Sequence, residues 1–412
     1  MSAARALGLL ALAALVAAPA PARAQGTAAP PGVAVVRRPG ATLVASTVVI
    51  PAGSANDPVA LPGAARLTAD AVAQTVRRSL DPDAARLEVR VERGWTSFTL
   101  LATPDVWTRS WGVLEDVLFR VPLTSAPIES ARAALLQGFQ FEQGAPMREF
   151  QRELYRAIGG GAASWSHDPR GTPESIRGAA AGAVEDFRAR SYWMSTATAA
   201  VVGPVAEDEA RAAVAPIGVT PLPERDLGDD LAWDDGSRTP LPRDVTNSWI
   251  GALFPIPAEM PRTQVDFLAY EVSETLNPSP PDPGLFSADV RVEDTPAGPI
   301  LVVVAAVTPE ATALWERRIL ESMRNLEHEP EPGFFQYRRR RFRNAMLLRE
   351  GLPEAAALRM ALDLLREGHV RPLQDEIWEV GPRQLADAAD ALGDARVLVL
   401  GPELTGDGAG GR

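Results

Sequence analysis

The sequence has no cysteine, which excludes both a disulfide framework and a lipidated N-terminal cysteine, so its stability must come from packing. Lysine is absent as well. All 41 basic residues are arginine, a coding bias to which no functional weight is attached. The three histidines, His167, His328 and His369, have no partner four residues away, so no histidine-based metal pair can form on one helix face. Each is expected in a surface or loop role. Past the N-terminus, no apolar run approaches the roughly 20 residues needed to span a bilayer. Basic charge is also in deficit: the formal net charge of -12 argues against non-specific nucleic-acid binding, which needs a basic surface.

The N-terminal stretch "MSAARALGLLALAALVAAPAPARAQG" has a short charged start with Arg5, an apolar run from Ala6 to Ala18 and a small-x-small site at Ala22-Arg23-Ala24. This reads as a signal peptide over residues 1–24, and the mature protein is expected to be soluble and exported, periplasmic or secreted. A length of 412 residues exceeds one average domain of about 150 residues. Internal similarity divides it. "TSFTLLATPDVWTRSWGVLEDVL" (96–118) is an apolar strand followed by a helix with Thr103 at the N-cap, Pro104 at the first position and Asp105 in the first turn. "PILVVVAAVTPEATALWERRILESM" (299–323) repeats it with Thr308, Pro309 and Glu310, 205 residues from Thr103 to Thr308. Two strands ending in Gly-Pro, "ATAAVVGPV" and "DARVLVLGPEL", are 198 residues apart from Gly203 to Gly401. A duplicated domain is predicted, with copies at 31–215 and 246–404, a linker at 216–245 and a mobile tail at 405–412.

Within the first copy the expected elements are strands at 33–38 and 41–54, a helix at 63–79, a strand pair at 86–102, and helical runs at 104–119, 126–158 and 173–192. The second copy is expected to have strands near 248–254, 286–292 and 299–307, with helices at 262–276, 309–326, 332–349, 353–367 and 382–392. Runs of strands followed by runs of helices define an α+β class, two homologous domains each with a mainly antiparallel sheet packed with helices.

Two strings carry a family resemblance. "GSANDPVALPGAARLTADAV" (53–72) has Gly53-Ser54 at a strand end, then Gly63-Ala64-Ala65 opening a helix. "RGTPESIRGAAAGAVEDFRARSYWMSTATAAVVGPV" (170–205) has a Gly-Thr-Pro-Glu-Ser-Ile helix start and a closing strand with Gly after its valines. Together with the duplication, they resemble the insulinase/pitrilysin family of zinc peptidases, in particular the two-domain subunits similar to mitochondrial processing peptidase, of the LuxS/peptidase-like metalloenzyme class. In that family an H-x-x-E-H helix supplies two ligands and the general base. Here the resemblance places Arg66, Leu67, Thr68, Ala69 and Asp70 at the five positions, so both histidines and the glutamate are missing. Arg66 and Asp70 are better explained as an i,i+4 pair than as metal ligands. The family's third ligand, a glutamate, falls at Gly138 beside Gln137, and Glu142, a turn further on, reads as an exposed helix residue. The resemblance therefore implies no catalytic residues and no zinc. Arg291 matches an arginine of the family's substrate clamp, but the clamp's tyrosine falls near Gly298, so Arg291 is either half a clamp or a surface arginine on an edge strand. The proline-rich "NPSPPDPG" (277–284) also departs from the family.

Other chemistries find no support. Ser164, Ser166, His167 and Asp168 are adjacent in a loop, whereas the members of a triad meet through the fold. "GGGAAS" (159–164) reads as a flexible hairpin between helices, and "YRRRRFR" (337–343) as a solvated, salt-paired helix face. The expectation is a noncatalytic subunit that pairs with a zinc-bearing homologue to form a peptide-degrading chamber and binds extended peptide at its strand edges. A stand-alone peptide-binding or scaffold protein of the cell envelope is the alternative, and a divergent peptidase using other residues a third.

Overall fold

Unbroken apolar stretches such as "ILVVVAAV" (300–307) suit strands covered on both faces rather than half-buried ones, and the fold turns on what covers the second face. The computed structural model describes residues 32–142, 144–159, 163–214, 217, 236–280, 282–295 and 298–403. The predicted signal peptide (1–24), residues 160–162 of the glycine run, 216 and 218–235 of the predicted linker and the predicted tail lie outside the described residues.

The first half runs β1 (Val33–Arg37), β2 (Val44–Ile50), α1 (Ala64–Arg77), β3 (Ala85–Val91), β4 (Thr96–Ala102) and α2 (Pro104–Phe119). It continues with α3 (Ser125–Phe141), α4 (Pro146–Ile158), α5 (Ala163–Ser166), α6 (Pro173–Gly178), α7 (Ala181–Ser191), β5 (Thr198–Gly203) and α8 (Glu207–Val214). The second half runs β6 (Arg238–Pro242), β7 (Ser248–Pro255), α9 (Arg262–Leu276), β8 (Leu285–Thr295), β9 (Gly298–Val307) and α10 (Thr312–Arg324). It closes with α11 (Pro332–Glu350), α12 (Pro353–Glu367), α13 (Leu373–Glu379), α14 (Pro382–Asp390) and β10 (Arg396–Gly401).

The strand orders are β1-β5-β2-β4-β3 and β6-β10-β7-β9-β8, one pattern used twice. In each sheet the outer pair, β1 with β5 and β6 with β10, is parallel, and the remaining pairs are antiparallel. This is the expected α+β architecture.

Alternate residues of β2 serve two cores, as the period of two requires. Val44, Val48 and Ile50 join Leu67, Phe98, Trp107, Leu114 and Phe187 in the core beneath α1, α2, α3 and α7. Ala45 and Val49 face the other way, onto Ala356, Ala357, Met360 and Ala361 of α12 from the second half. The second sheet reciprocates. Ile250, Ala252 and Phe254 pack with Phe267, Trp315, Phe335 and Phe342, while Leu253, Val302 and Leu398 receive Phe150, Leu154, Ala157 and Ile158 of α4 from the first half. The two helices are thus exchanged. Burying a side chain such as Phe150 or Leu154 in this way stabilises by roughly 1.5–3 kcal/mol. Gly251 admits the close approach of α4, since a Cβ there would lie 3.0 Å from Phe150 Cζ.

Several expectations are corrected. The 126–158 run is two helices, because Gly144 has φ +79° and Ala145, preceding Pro146, is held extended, as a residue before proline must be. Leu352 before Pro353 makes the equivalent corner. The 173–192 run breaks at Ala179–Ala180, which are both extended. Thr308 and Pro309 open a 3-10 turn rather than the helix, and α10 starts at Thr312. The linker ends early, since Arg238–Pro242 forms β6. Thr103 occupies the N-cap of α2, but its side chain makes no capping hydrogen bond. No helix among the described residues is long and apolar enough to cross a membrane.

Candidate functional site

The start of α1 is fixed by a crossing of two loops. Gly63 has φ +91° and Gly171 φ +76°, and a Cβ on Gly63 would lie 2.5 Å from Arg170 O, so only glycine fits at this approach. Ser175 Oγ donates to Pro62 O at 2.7 Å. Ser175 N donates to Thr172 Oγ1 at 3.1 Å and closes the cap of α6. The two strings singled out in the sequence are therefore the two sides of one contact. Asp57 completes it: its Oδ2 accepts from Gly63 N at 2.6 Å and its Oδ1 from Ala65 N at 2.7 Å, placing a carboxylate at the helix N-terminus, where the dipole favours it.

On α1 itself, Arg66 Nε lies 2.9 Å from Asp70 Oδ2. Burial pushes the Asp70 carboxyl above its ordinary value, and Arg66 offsets this only in part. Leu67, Thr68 and Ala69 are fully buried, and Thr68 Oγ1 donates to Val184 O at 3.4 Å. Gly138 lies on α3, which packs alongside α1, and the space where its side chain would begin is open to 4 Å. A zinc ion of the kind associated with this helix needs three protein ligands and a base beside an open position. Here there is one carboxylate, held by an arginine, with a methyl group at Ala69 and a hydrogen at Gly138. This donor set does not fit the metal. Among the described residues, no group of three or more His, Asp or Glu side chains is placed to hold an ion.

The remaining candidates fall in different places. Arg291 is on β8, at the edge of the second sheet, with Nη1 2.6 Å from Asp289 Oδ2 and Nε 3.0 Å from Glu293 Oε1. Glu293 also pairs with Arg93 of the first half, whose Nε donates to Trp165 O at 3.1 Å and whose guanidinium sits 4.5 Å over the Tyr155 ring. Arg291 is consequently tied into an ion network between the halves. His328 and His369 are exposed, as expected. His167 is in a loop, as expected, and half-buried: its Nε2 lies 2.9 Å from Asp57 Oδ2 with a fifth of the side chain exposed, so it supports the α1 cap. Glu142, read as an exposed helix residue, caps the C-terminus of α3 with its side chain 39% exposed, and it is bound by Arg148 at 2.6 Å and Arg170 at 3.0 Å. In the arginine run, Arg338 pairs with Glu271 and Arg341 with Glu274, the salt-paired face expected.

One feature went unread in the sequence. Arg148, Arg152 and Arg156 of α4 follow each other at intervals of four and, with Arg177 of α6, line a cavity of about 810 Å³. His167 and Asp168 form part of its wall, so it adjoins the α1 N-terminus through the His167–Asp57 bond. The Asp168 side chain is 9% exposed, and its partial burial lifts the carboxyl to about 6 against the pull of Arg148. The spacing in "MREFQREL" was the available signal.

No protein-family model matches the sequence, and no curated protein matches it. Solved structures do. The peptidase M16 inactive domain from Pseudomonas fluorescens superposes with a TM-score of 0.72 at 14% identity, over 91% of this chain and 96% of that one. A protease from Helicobacter pylori gives 0.73 at 14% identity, over 90% and 96%. The periplasmic protease PqqL from Escherichia coli gives 0.64 at 13% identity, over 88% of this chain and 43% of that one. A subunit in the structure of complex III2 from Candida albicans gives 0.70 at 14% identity. The likeness is one of fold, and the fold is the insulinase-like α+β architecture of M16 peptidases.

Proposed function

We propose that this chain is a noncatalytic insulinase-like subunit, exported from the cytoplasm, which binds extended peptide and pairs with a zinc-bearing homologue in a peptide-degrading assembly. The observation that carries the reading is α1. By the resemblance α1 corresponds to a peptidase's metal helix, and it carries an Arg66–Asp70 ion pair and a buried Ala69 where that family has ligands and base. A scaffold of this kind without those residues is consistent with a binding or cavity-forming role. Edge strands β3 and β8 offer unpaired backbone groups to which a peptide can add as a further strand.

The test is native mass with subunit identification on the tagged protein purified gently from its own envelope fraction. A complex with a second chain carrying an intact H-x-x-E-H helix supports the subunit reading. A lone monomer or homodimer defeats it and moves the protein to a stand-alone peptide-binding or scaffold role in the envelope.

A further inference from the structure

Helix α4 has two unlike faces. Met147, Phe150, Leu154, Ala157 and Ile158 lie against the second sheet, and Arg148, Arg152 and Arg156 turn to the cavity. Four arginines line that cavity against the carboxylates of Glu142, Asp168 and Glu174, a local basic excess on a chain of net charge -12. The carboxylates beside α4 are already engaged. Arg148 holds Glu142 at 2.6 Å and Asp168 at 3.6 Å, Arg170 holds the same two at 3.0 Å and 3.3 Å, and Arg156 is paired with Glu153. Arg152 and Arg177, from two different helices, have no hydrogen bond or ion pair to any described residue and are exposed to the cavity. The same lining has an apolar part, Leu136, Phe139 and Pro173. Phe139 is held under the guanidinium groups of Arg148 and Arg170 at 5.0 Å and 5.8 Å.

A guanidinium presents a planar fork of donors matched to a carboxylate, and such charge-assisted pairs are roughly twice as strong as neutral hydrogen bonds. A volume of about 810 Å³ lies within the range of ligand pockets and suits a short segment rather than a folded domain. We propose that this cavity binds carboxylates carried by a peptide, an acidic side chain or a free C-terminus, through Arg152 and Arg177, while Leu136, Phe139 and Pro173 receive the apolar part of an adjacent residue. The proposal rests on the peptide-binding reading above and gives it a substrate class.

Fluorescence anisotropy on the full mature chain tests it, with labelled peptides of one length and one apolar core. One has internal Asp and Glu and an amidated end, one has Asn and Gln and a free C-terminus, one has both carboxylate sources and one has neither. The peptides with carboxylates should bind at least about tenfold more tightly than the peptide with neither, and this margin should shrink as salt rises. The stronger of the first two identifies the source. Arg152→Gln with Arg177→Gln should abolish the margin, whereas Arg109→Gln, on the exposed side of α2, should keep it. Equal binding of all the peptides, or a margin that survives the double variant, overturns the carboxylate assignment while leaving peptide binding intact. Binding of none overturns both.

Discussion

Two arginine-rich regions of this molecule differ in whether their charges are used up. Around α12, Asp363 is fully enclosed: its Oδ2 lies 2.5 Å from Arg359 Nη1 and its Oδ1 3.1 Å from Arg371 Nε. Arg371 reaches Asp266 at 3.4 Å, and Arg262 bridges Asp266 at 3.1 Å and Asp294 at 2.6 Å, with Arg366 on the other oxygen of Asp294. Every guanidinium there has an acidic partner. Around α4 the forks of Arg152 and Arg177 have no partner among the described residues, and they face a cavity instead of the interior. A charge withdrawn from water must be paired, so the closed network is a requirement of the fold. The open one is not, and this makes it the better candidate for function.

Breaking the closed network should have the largest effect. Asp363→Ala removes the buried carboxylate shared by Arg359 and Arg371, leaving the buried Arg371 with the longer contacts to Asp266 and Glu367 at 3.4 Å, and about 3–5 kcal/mol of stability should be lost, read as a fall in the guanidinium unfolding midpoint. Leu154→Ala removes an apolar anchor from the sheet-facing side of α4 and should lose about 2–5 kcal/mol by the same measurement. A loss below 0.5 kcal/mol would mean that α4 is not held by that contact.

A pH series sharpens the comparison at Asp168, the partly buried carboxyl of the open region. Its folded value of about 6 lies above the ordinary 3.8, so the folded state holds the proton more tightly. The associated stability is complete below about pH 4 and is lost as pH rises through 6. That loss should be on the order of 1–3 kcal/mol, and Asp168→Asn should remove it, leaving a shallower slope from groups such as Glu271, which burial lifts to about 7. An unchanged slope in Asp168→Asn melting curves would refute the assignment. The smallest effect belongs to α1: Arg66→Ala should change stability by no more than about 0.5 kcal/mol, as a part-exposed i,i+4 pair does.

Much of this was readable before any coordinates. The duplication and much of the order of elements follow from local patterns of apolar spacing and turn chemistry. β6 was missed because "RTPLP" has two prolines, which a strand tolerates only at an edge with one partner, and β6 pairs with β10 alone. The helix exchange was hidden for another reason. An apolar stripe such as Phe150, Leu154 and Ile158 announces that a face is buried but not against which sheet. Likewise Arg152 and Arg177 are 25 residues apart in sequence, and only the fold brings them to one cavity, whereas the five positions from Arg66 to Asp70 that the resemblance sets against H-x-x-E-H lie in one short window.

The exchange of α4 and α12 also fixes how the polypeptide can be divided. Severed within residues 218–235, the chain would yield two pieces, each with a sheet face bare and each carrying the helix that fits the other's. Neither piece would be expected to be soluble alone, yet the pair should recognise each other by surfaces already shaped for the purpose. A protein built in this way is suited to reassembly from fragments.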